Sequence, residues 1–164
     1  MALMERESRR NSMRLAGYDY ASAGFYFITI CTHQRQMLFG AFVGADLCVR
    51  PSPGNIPLRW LAELERKYAV KIDAYAILPD HIHIILRIPN IYAGPPLPEM
   101  IQWYKARTTN AMIQEVRAQR QPPFLRRVWQ RGFYDHILRN KTDIQDTRQY
   151  ILSNPLKWIL NDKE

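Results

Sequence analysis

From Gly24 the chain alternates Phe25, Phe27, Thr29 and Cys31 with Tyr26, Ile28, Ile30 and Thr32. β-Branched and aromatic residues on both alternating faces predict a strand covered on each side or central in a sheet. Residues 40–57 hold Gly40, Gly44, Gly54, Pro51, Pro53 and Pro57, which predicts turns with short edge pieces. Leu58, Leu61, Leu64 and Tyr68 recur at three- and four-residue spacing and predict an amphipathic helix over 58–68. A strand over 70–78 follows, with Val70, Ile72, Ala74 and Ala76 on one face and Lys71, Asp73, Tyr75 and Ile77 on the other. Pro79 and Asp80 turn it into a second strand, 81–88, to make a hairpin.

A loop over 90–98, rich in Pro and Gly, leads to a second helix, 99–116, with Ile101, Tyr104, Thr108, Met112 and Val116 near one stripe. Gln121, Pro122 and Pro123 stop any continuation. Residues 132–138 predict a last strand. Thr142 with Gln145 reads as a capping box that opens a third helix, which Asn154 and Pro155 disturb near Ser153. The sequence carries no internal repeats. This order of elements predicts an α+β fold: one antiparallel sheet with helices packed against it.

Composition narrows the class. A chain of 164 residues with 47% hydrophobic and 23% charged residues makes one domain with a sizeable core. The expected organisation is a basic N-terminal arm over 1–16, containing Arg9, Arg10 and Arg14, and a single domain over 17–164. Lys and Arg total 23 against 15 acidic residues, a formal charge of +8 that points to a polyanionic partner. No apolar run is long enough to cross a bilayer, and the N-terminus lacks the apolar run of a secretory signal. The 2 cysteines exclude a disulfide framework. These readings give a cytoplasmic protein with no membrane partner.

His81 and His83 are the sharpest chemical feature. On a strand, residues i and i+2 share a face, so both imidazoles project together while Ile82 turns into the core. Taken alone, the pair fits a metal site or a half-exposed strand face. A second feature is basic: Arg117, Arg120, Arg126, Arg127, Arg131, Arg139 and Lys141 stand against Asp135 alone between 116 and 141, interleaved with Trp129, Phe133 and Tyr134. Cations that track phosphates beside rings that stack bases suit single-stranded nucleic acid. A solvated basic face with core aromatics fits the same residues.

The segment Tyr75-Ala76-Ile77-Leu78-Pro79-Asp80-His81-Ile82-His83-Ile84-Ile85-Leu86 resembles the His-hydrophobic-His (HUH) signature of single-tyrosine transposases. It resembles the form found in REP-associated tyrosine transposases and their insertion-sequence relatives. Gly17 to Tyr20 with the following strand and His33 is similar to the family's first strand. Trp129 to His136 is similar to the block before its catalytic helix, and Tyr150-Ile151-Leu152-Ser153-Asn154-Pro155 to that helix. The matches run in order from about 14 to 158.

The resemblance implies a ferredoxin-like or RNA-recognition-like HUH fold and a DNA transposase that cuts and rejoins single-stranded DNA through a 5′-phosphotyrosine. It implies Tyr150 as nucleophile, His81, His83 and Asn154 as ligands of Mg²⁺ or Mn²⁺, and Lys105 and Arg107 on a DNA-contacting helix. Relatives often carry Gln where Asn154 stands. With Arg126, Arg127, Arg131 and Trp129 these complete the expected DNA-binding set. The implied partner is hairpin-bearing single-stranded DNA, and the implied location is nucleoid-associated. Relatives act as homodimers or as monomers, and both assemblies stay open. Two rival functions also stay open: a non-catalytic single-stranded DNA-binding protein, and a metal-dependent nuclease that uses water, with Asp80 the nearest carboxylate. His33 and His136 stand outside the expected core site.

Overall fold

The computed structural model describes residues 14–49, 54–120 and 127–161. Residues 1–13 of the expected arm, Arg126 and the Pro122-Pro123 stop lie outside them. Five strands, β1 (Gly24–Cys31), β2 (Gly44–Asp46), β3 (Lys71–Leu78), β4 (His81–Ile88) and β5 (Tyr134–Leu138), form one sheet in the order β2-β3-β4-β1-β5. Every neighbouring pair is antiparallel. Among the described residues three α-helices complete the fold: α1 (Ile56–Tyr68), α2 (Leu97–Ala118) and α3 (Lys141–Asn161). The architecture is the expected α+β class.

The alternating strands divide the interior into two layers. Tyr26, Ile28 and Ile30 of β1 and Ile82, Ile84 and Leu86 of β4 face Leu61 and Leu64 of α1 and Met100, Ile101 and Tyr104 of α2. Phe25 and Phe27 of β1 and Ile85 of β4 face the opposite way, with Ile151 of α3. The central strands are therefore apolar on both faces because helices cover both. Tyr104 Oη donates to Pro57 O at 3.0 Å and ties α2 to the start of α1.

Three local expectations are corrected. First, β3 carries a bulge: the register with β4 shifts between Ile72 and Ala74, around Asp73. An extra residue reverses the faces beyond it. Ile72 therefore shares the α1–α2 side with Tyr75 and Ile77, while Ala74, Ala76 and Leu78 face α3. Second, the cap of α3 is Asn140, not Thr142. Asn140 Oδ1 accepts from Asp143 N at 2.9 Å, and Asn140 Nδ2 donates to Asp143 Oδ2 at 3.0 Å. Third, α3 passes through Pro155 to Asn161. Trp158, packed against the α3-side core beyond the proline, gives the last turns an apolar anchor that offsets the lost backbone bond.

Asn140→Ala should cost about 1 kcal/mol, since it removes the cap, whereas Thr142→Ala on the exposed first turn should be near neutral. Urea midpoints of the two variants check this, and the reverse ranking would restore Thr142 as the cap.

Candidate active site and nucleic-acid interface

The α3-facing side of the β1–β4 pair is apolar except at its end. There Thr29 lies opposite His83 in the ladder, and Cys31 opposite His81. Thr29 Oγ1 and His83 Nδ1 are 2.8 Å apart. Asp80 Oδ1 accepts from His81 Nδ1 at 2.6 Å, and the two Nε2 atoms face each other at 3.1 Å. Asp80 Oδ2 in turn accepts from Arg35 Nε at 2.8 Å. Both Nδ1 atoms are thus held from behind, which aims both Nε2 atoms at one point.

Burial and the neighbouring His81 push His83 down from 6.5 to about 3, so it is a neutral ring with a lone pair to offer. Two nitrogens 3.1 Å apart match adjacent ligands of an ion about 2.1 Å from each, which sit ~3 Å apart in octahedral coordination. The donor set therefore fits a divalent metal. Among the described residues no cluster of three or more His, Cys, Asp or Glu forms a metal site. Further ligands at this pair have to be of another type, or come from substrate or water. Asn154 Nδ2 is buried without a hydrogen-bond partner among the described residues, one turn beyond Tyr150.

Tyr150 projects from α3 onto this cluster. Its ring centroid lies 5.5 Å from that of His83 and 6.1 Å from that of Phe27, and the residue is 46% exposed. Its position depends on Arg148, whose Nε and Nη2 donate to the two carboxylate oxygens of Asp73, each at 2.6 Å. The β3 bulge is centred on Asp73, so the irregularity in the strand supplies the anchor for the tyrosine helix. Ile151, fully buried, fixes the rotation of α3 next to it.

The expected DNA-binding residues separate into two groups. Lys105, Arg127, Arg131 and Trp129 line a groove of about 600 Å³ between α2 and residues 127–133, together with Arg14, Gln102 and Asn110. Arg127 and Arg131 are exposed. Lys105 instead turns inward. Its Nζ donates to Gln130 O at 2.7 Å and Gly132 O at 2.6 Å, and burial lowers its pKa to about 8. The Trp129 ring is in the core, with its Nε1 donating to Thr108 Oγ1 at 3.0 Å. Arg107 lies away from the groove, its guanidinium 5.6 Å from the Trp103 ring centroid.

Two residues at the site escaped the sequence reading. Thr29 and Arg35 gave no signal. Asp80, read as a turn residue, directly precedes the histidine pair, and that adjacency was the available clue. Tyr134, opposite Thr29, and His136, opposite Phe27, are exposed beside the cluster on β5. Arg35 and Gln34 both have φ of 54° in the turn after β1. Such backbone costs about 1–3 kcal/mol per residue and persists where the surroundings hold it, here by the Arg35–Asp80 pair.

The family model described as IS200-like transposase matches residues 26–154, which span β1 to Asn154. The chain belongs to the IS200-like transposase family. An uncharacterised Haemophilus influenzae protein is 30% identical over 161 residues, 91% of this chain and 89% of its own length. An Escherichia coli K12 protein named as a REP-associated tyrosine transposase is 28% identical over 60% of this chain and 53% of its own length. A solved REP-associated tyrosine transposase bound to a REP hairpin shares the fold with a TM-score of 0.64 at 21% identity, covering 88% of this chain and 73% of that one. No helix among the described residues of this IS200-like transposase is long and apolar enough to cross a membrane.

The buried His83 gives a pH signature. The unfolded chain gains a proton at 6.5, while the folded protein resists it until about 3. Stability should therefore be complete above 6.5 and fall as pH drops from 6.5 towards 3. In metal-free buffer His83→Gln should flatten this decline by at most one proton, about 1.4 kcal/mol per pH unit. Identical slopes in both proteins would show that His83 already charges in the folded state.

Proposed function

We propose that this IS200-like transposase cleaves and rejoins single-stranded DNA next to a hairpin, with Tyr150 as nucleophile. The observation that carries this reading is the Tyr150 ring lying on His83 within one chain, on a helix tied down by Arg148 and Asp73. His81 and His83 would hold Mg²⁺ or Mn²⁺, with Asn154 as the third protein ligand. The ion would act as a Lewis acid on a phosphate oxygen.

In the cleavage step Tyr150 Oη forms a bond to phosphorus as the bond to O3′ breaks. Tyr150 loses its proton and the leaving oxygen gains one, which gives a 5′-phosphotyrosine and a free 3′-hydroxyl. Attack by a 3′-hydroxyl reverses the step, so the bond energy is conserved and no nucleotide cofactor is consumed. Arg35 and Asp80 hold His81 in orientation, and Thr29, which can donate or accept, does the same for His83. Asp80 has both oxygens engaged and is poorly placed to serve as the base of a water-using nuclease.

On this reading the groove takes the DNA: Arg127 and Arg131 meet phosphates, while Lys105 shapes the wall by clamping the carbonyls of Gln130 and Gly132. The hairpin bound by the solved relative is the model for this partner. A nucleoid-associated location follows from the same reading. Leu152, Leu156, Ile159 and Leu160 leave an apolar stripe exposed on α3, where a second copy would dock if a homodimer forms.

The direct test uses a hairpin-bearing single strand labelled at its 3′ end, with Mn²⁺ or Mg²⁺, on a denaturing protein gel. Wild type should carry the label at protein mass, and Tyr150→Phe and chelated samples should not. Cutting without an adduct in both proteins would sink the tyrosine mechanism, and binding without cutting would favour a non-catalytic role.

A second expectation concerns assembly. Because Tyr150 meets His83 within one chain, mixing Tyr150→Phe with His81→Ala/His83→Ala protein should restore no activity. Recovered cleavage in the mixture would mean that the tyrosine helix serves a partner's histidines.

A further inference from the structure

On the far side of the sheet from His83 and Tyr150, the outer edges of α1 and α2 carry a cluster the catalytic reading does not use. Trp60 and Trp103 pack edge-to-face with centroids 5.8 Å apart, and Tyr68 meets Trp103 at 5.7 Å. Three cations lie on these rings. Arg107 Cζ is 5.9 Å from the Trp60 centroid and 5.6 Å from that of Trp103. Lys67 Nζ is 5.3 Å from Tyr68 and 5.5 Å from Trp103, and Arg59 Cζ is 5.4 Å from Trp60.

Among the described residues no acid forms an ion pair with these cations. Of the acids on α1, Glu63 pairs with Arg66 and Glu65 with Lys71, and among the described residues Arg59, Lys67 and Arg107 form no ion pair. Glu99 is felt by Tyr68 but pairs with none of the three. Arg59 Nε and Trp60 Nε1 are, in addition, buried donors without an acceptor among the described residues. Donors and positive charge thus exceed acceptors throughout the patch.

Joining α1 to α2 does not require it, since Leu61, Leu64, Met100, Ile101 and Tyr104 already pack the two helices. Like charges gathered on one surface repel, and each exposed cation–π contact returns only about 0.5–1 kcal/mol. What the rings achieve is order. They hold long, flexible cationic side chains in place, so that a polyanion meets them with less entropy left to lose. Lys67 and Arg107 are exposed, so the Arg107 guanidinium can meet bases and phosphates and the Lys67 ammonium can meet phosphates.

We propose that this patch is a second nucleic-acid contact, one that grips the backbone of single-stranded DNA outside the cleaved stretch. It rests on the DNA reading above and extends it. Helix α2 lies between the two surfaces, with Lys105 on the groove side and Arg107 on the patch side. A strand that leaves the groove across α2 reaches Arg107 and then Lys67.

The test compares single strands of ~10 and ~30 nucleotides, around and beyond one binding-site length, by fluorescence anisotropy over a salt series. Tyr150→Phe protein serves as the background, so that no cutting intervenes. The long strand should bind more tightly than the short one and quench tryptophan fluorescence more. Lys67→Ala/Arg107→Ala, two exposed substitutions, should lower long-strand affinity about tenfold and reduce the salt slope by about 1.4, for two phosphates released. The length advantage should then largely disappear. Lys67→Ala alone should give about half the change in slope, and matching urea midpoints show that the fold is intact.

An unchanged slope and length advantage in the double variant would overturn the patch proposal while leaving DNA binding in the groove untouched. The patch would then be a fastening between helices or the docking face of an acidic protein. Failure of the background protein to bind either strand would overturn the DNA reading itself, and this proposal with it.

Discussion

The constraint on which this structure turns is the burial of polar rings in an apolar sheet face. His83 is 6% exposed, lies against Phe27 and Tyr150, and would be costly there if charged or without partners. The fold meets the cost with a continuous chain of contacts from Arg35 through Asp80, His81 and His83 to Thr29. A buried network of this kind stabilises only when each member is satisfied, so the five residues stand or fall together. The alternation of β1 and β4 places Thr29 opposite His83, and the tight Pro79-Asp80 turn brings Asp80 within reach of both His81 and Arg35. Thr32, whose N and Oγ1 both donate to Asp80 O at 2.9 and 3.0 Å, holds that turn from the end of β1.

The tyrosine helix depends on a different irregularity. Asp73 stands at the β3 bulge, and its carboxylate takes Arg148 of α3 in a two-pronged grip. Partly exposed as it is, such a pair contributes modestly to stability. Its larger effect is geometric, because Arg148 is two residues from Tyr150 and Ile151 is locked in the core beside it. Trp158 anchors the helix beyond Pro155. Between these points Tyr150 has little freedom to leave His83, although almost half of its surface faces solvent.

Much of this was legible in the sequence, and what was not has definite causes. The strands around Ile28 and Ile84 and the helices around Leu61 and Tyr104 follow from periodicity, because burial against a layer imposes it, while the last helix was signalled by the polar residues at its start. The hairpin at Asp80 and the shared face of His81 and His83 follow from strand geometry. The bulge at Asp73 could not be read, since a single extra residue alters no composition and is fixed by the partner strand. Thr142 and Asn140 are both good caps, and only the path of the chain chooses between them. Trp129 and Lys105 show the limit of composition most clearly. A basic, aromatic stretch fits an open nucleic-acid surface and a packed wall equally well, and here Trp129 and Lys105 turn inward while Arg127 and Arg131 stay outside.

The same limit explains why the paired tryptophans went unread. Trp60 and Trp103 are far apart in sequence, and each alone fits the apolar edge of its helix. Their meaning as a pair arises only when the fold lays α1, between β2 and β3, beside α2, between β4 and β5, and brings Lys67 and Arg107 onto their rings. The sheet thus separates two kinds of polar economy. On one face a few neutral or paired groups are buried, and their geometry is fixed by mutual hydrogen bonds. On the other, cations that form no ion pair among the described residues are ordered by aromatic faces, where screening keeps their cost low. A catalytic centre that needs directed lone pairs belongs on the first face. A surface that needs only charge at a set spacing can be built on the second, on helices whose inner stripes already hold the core.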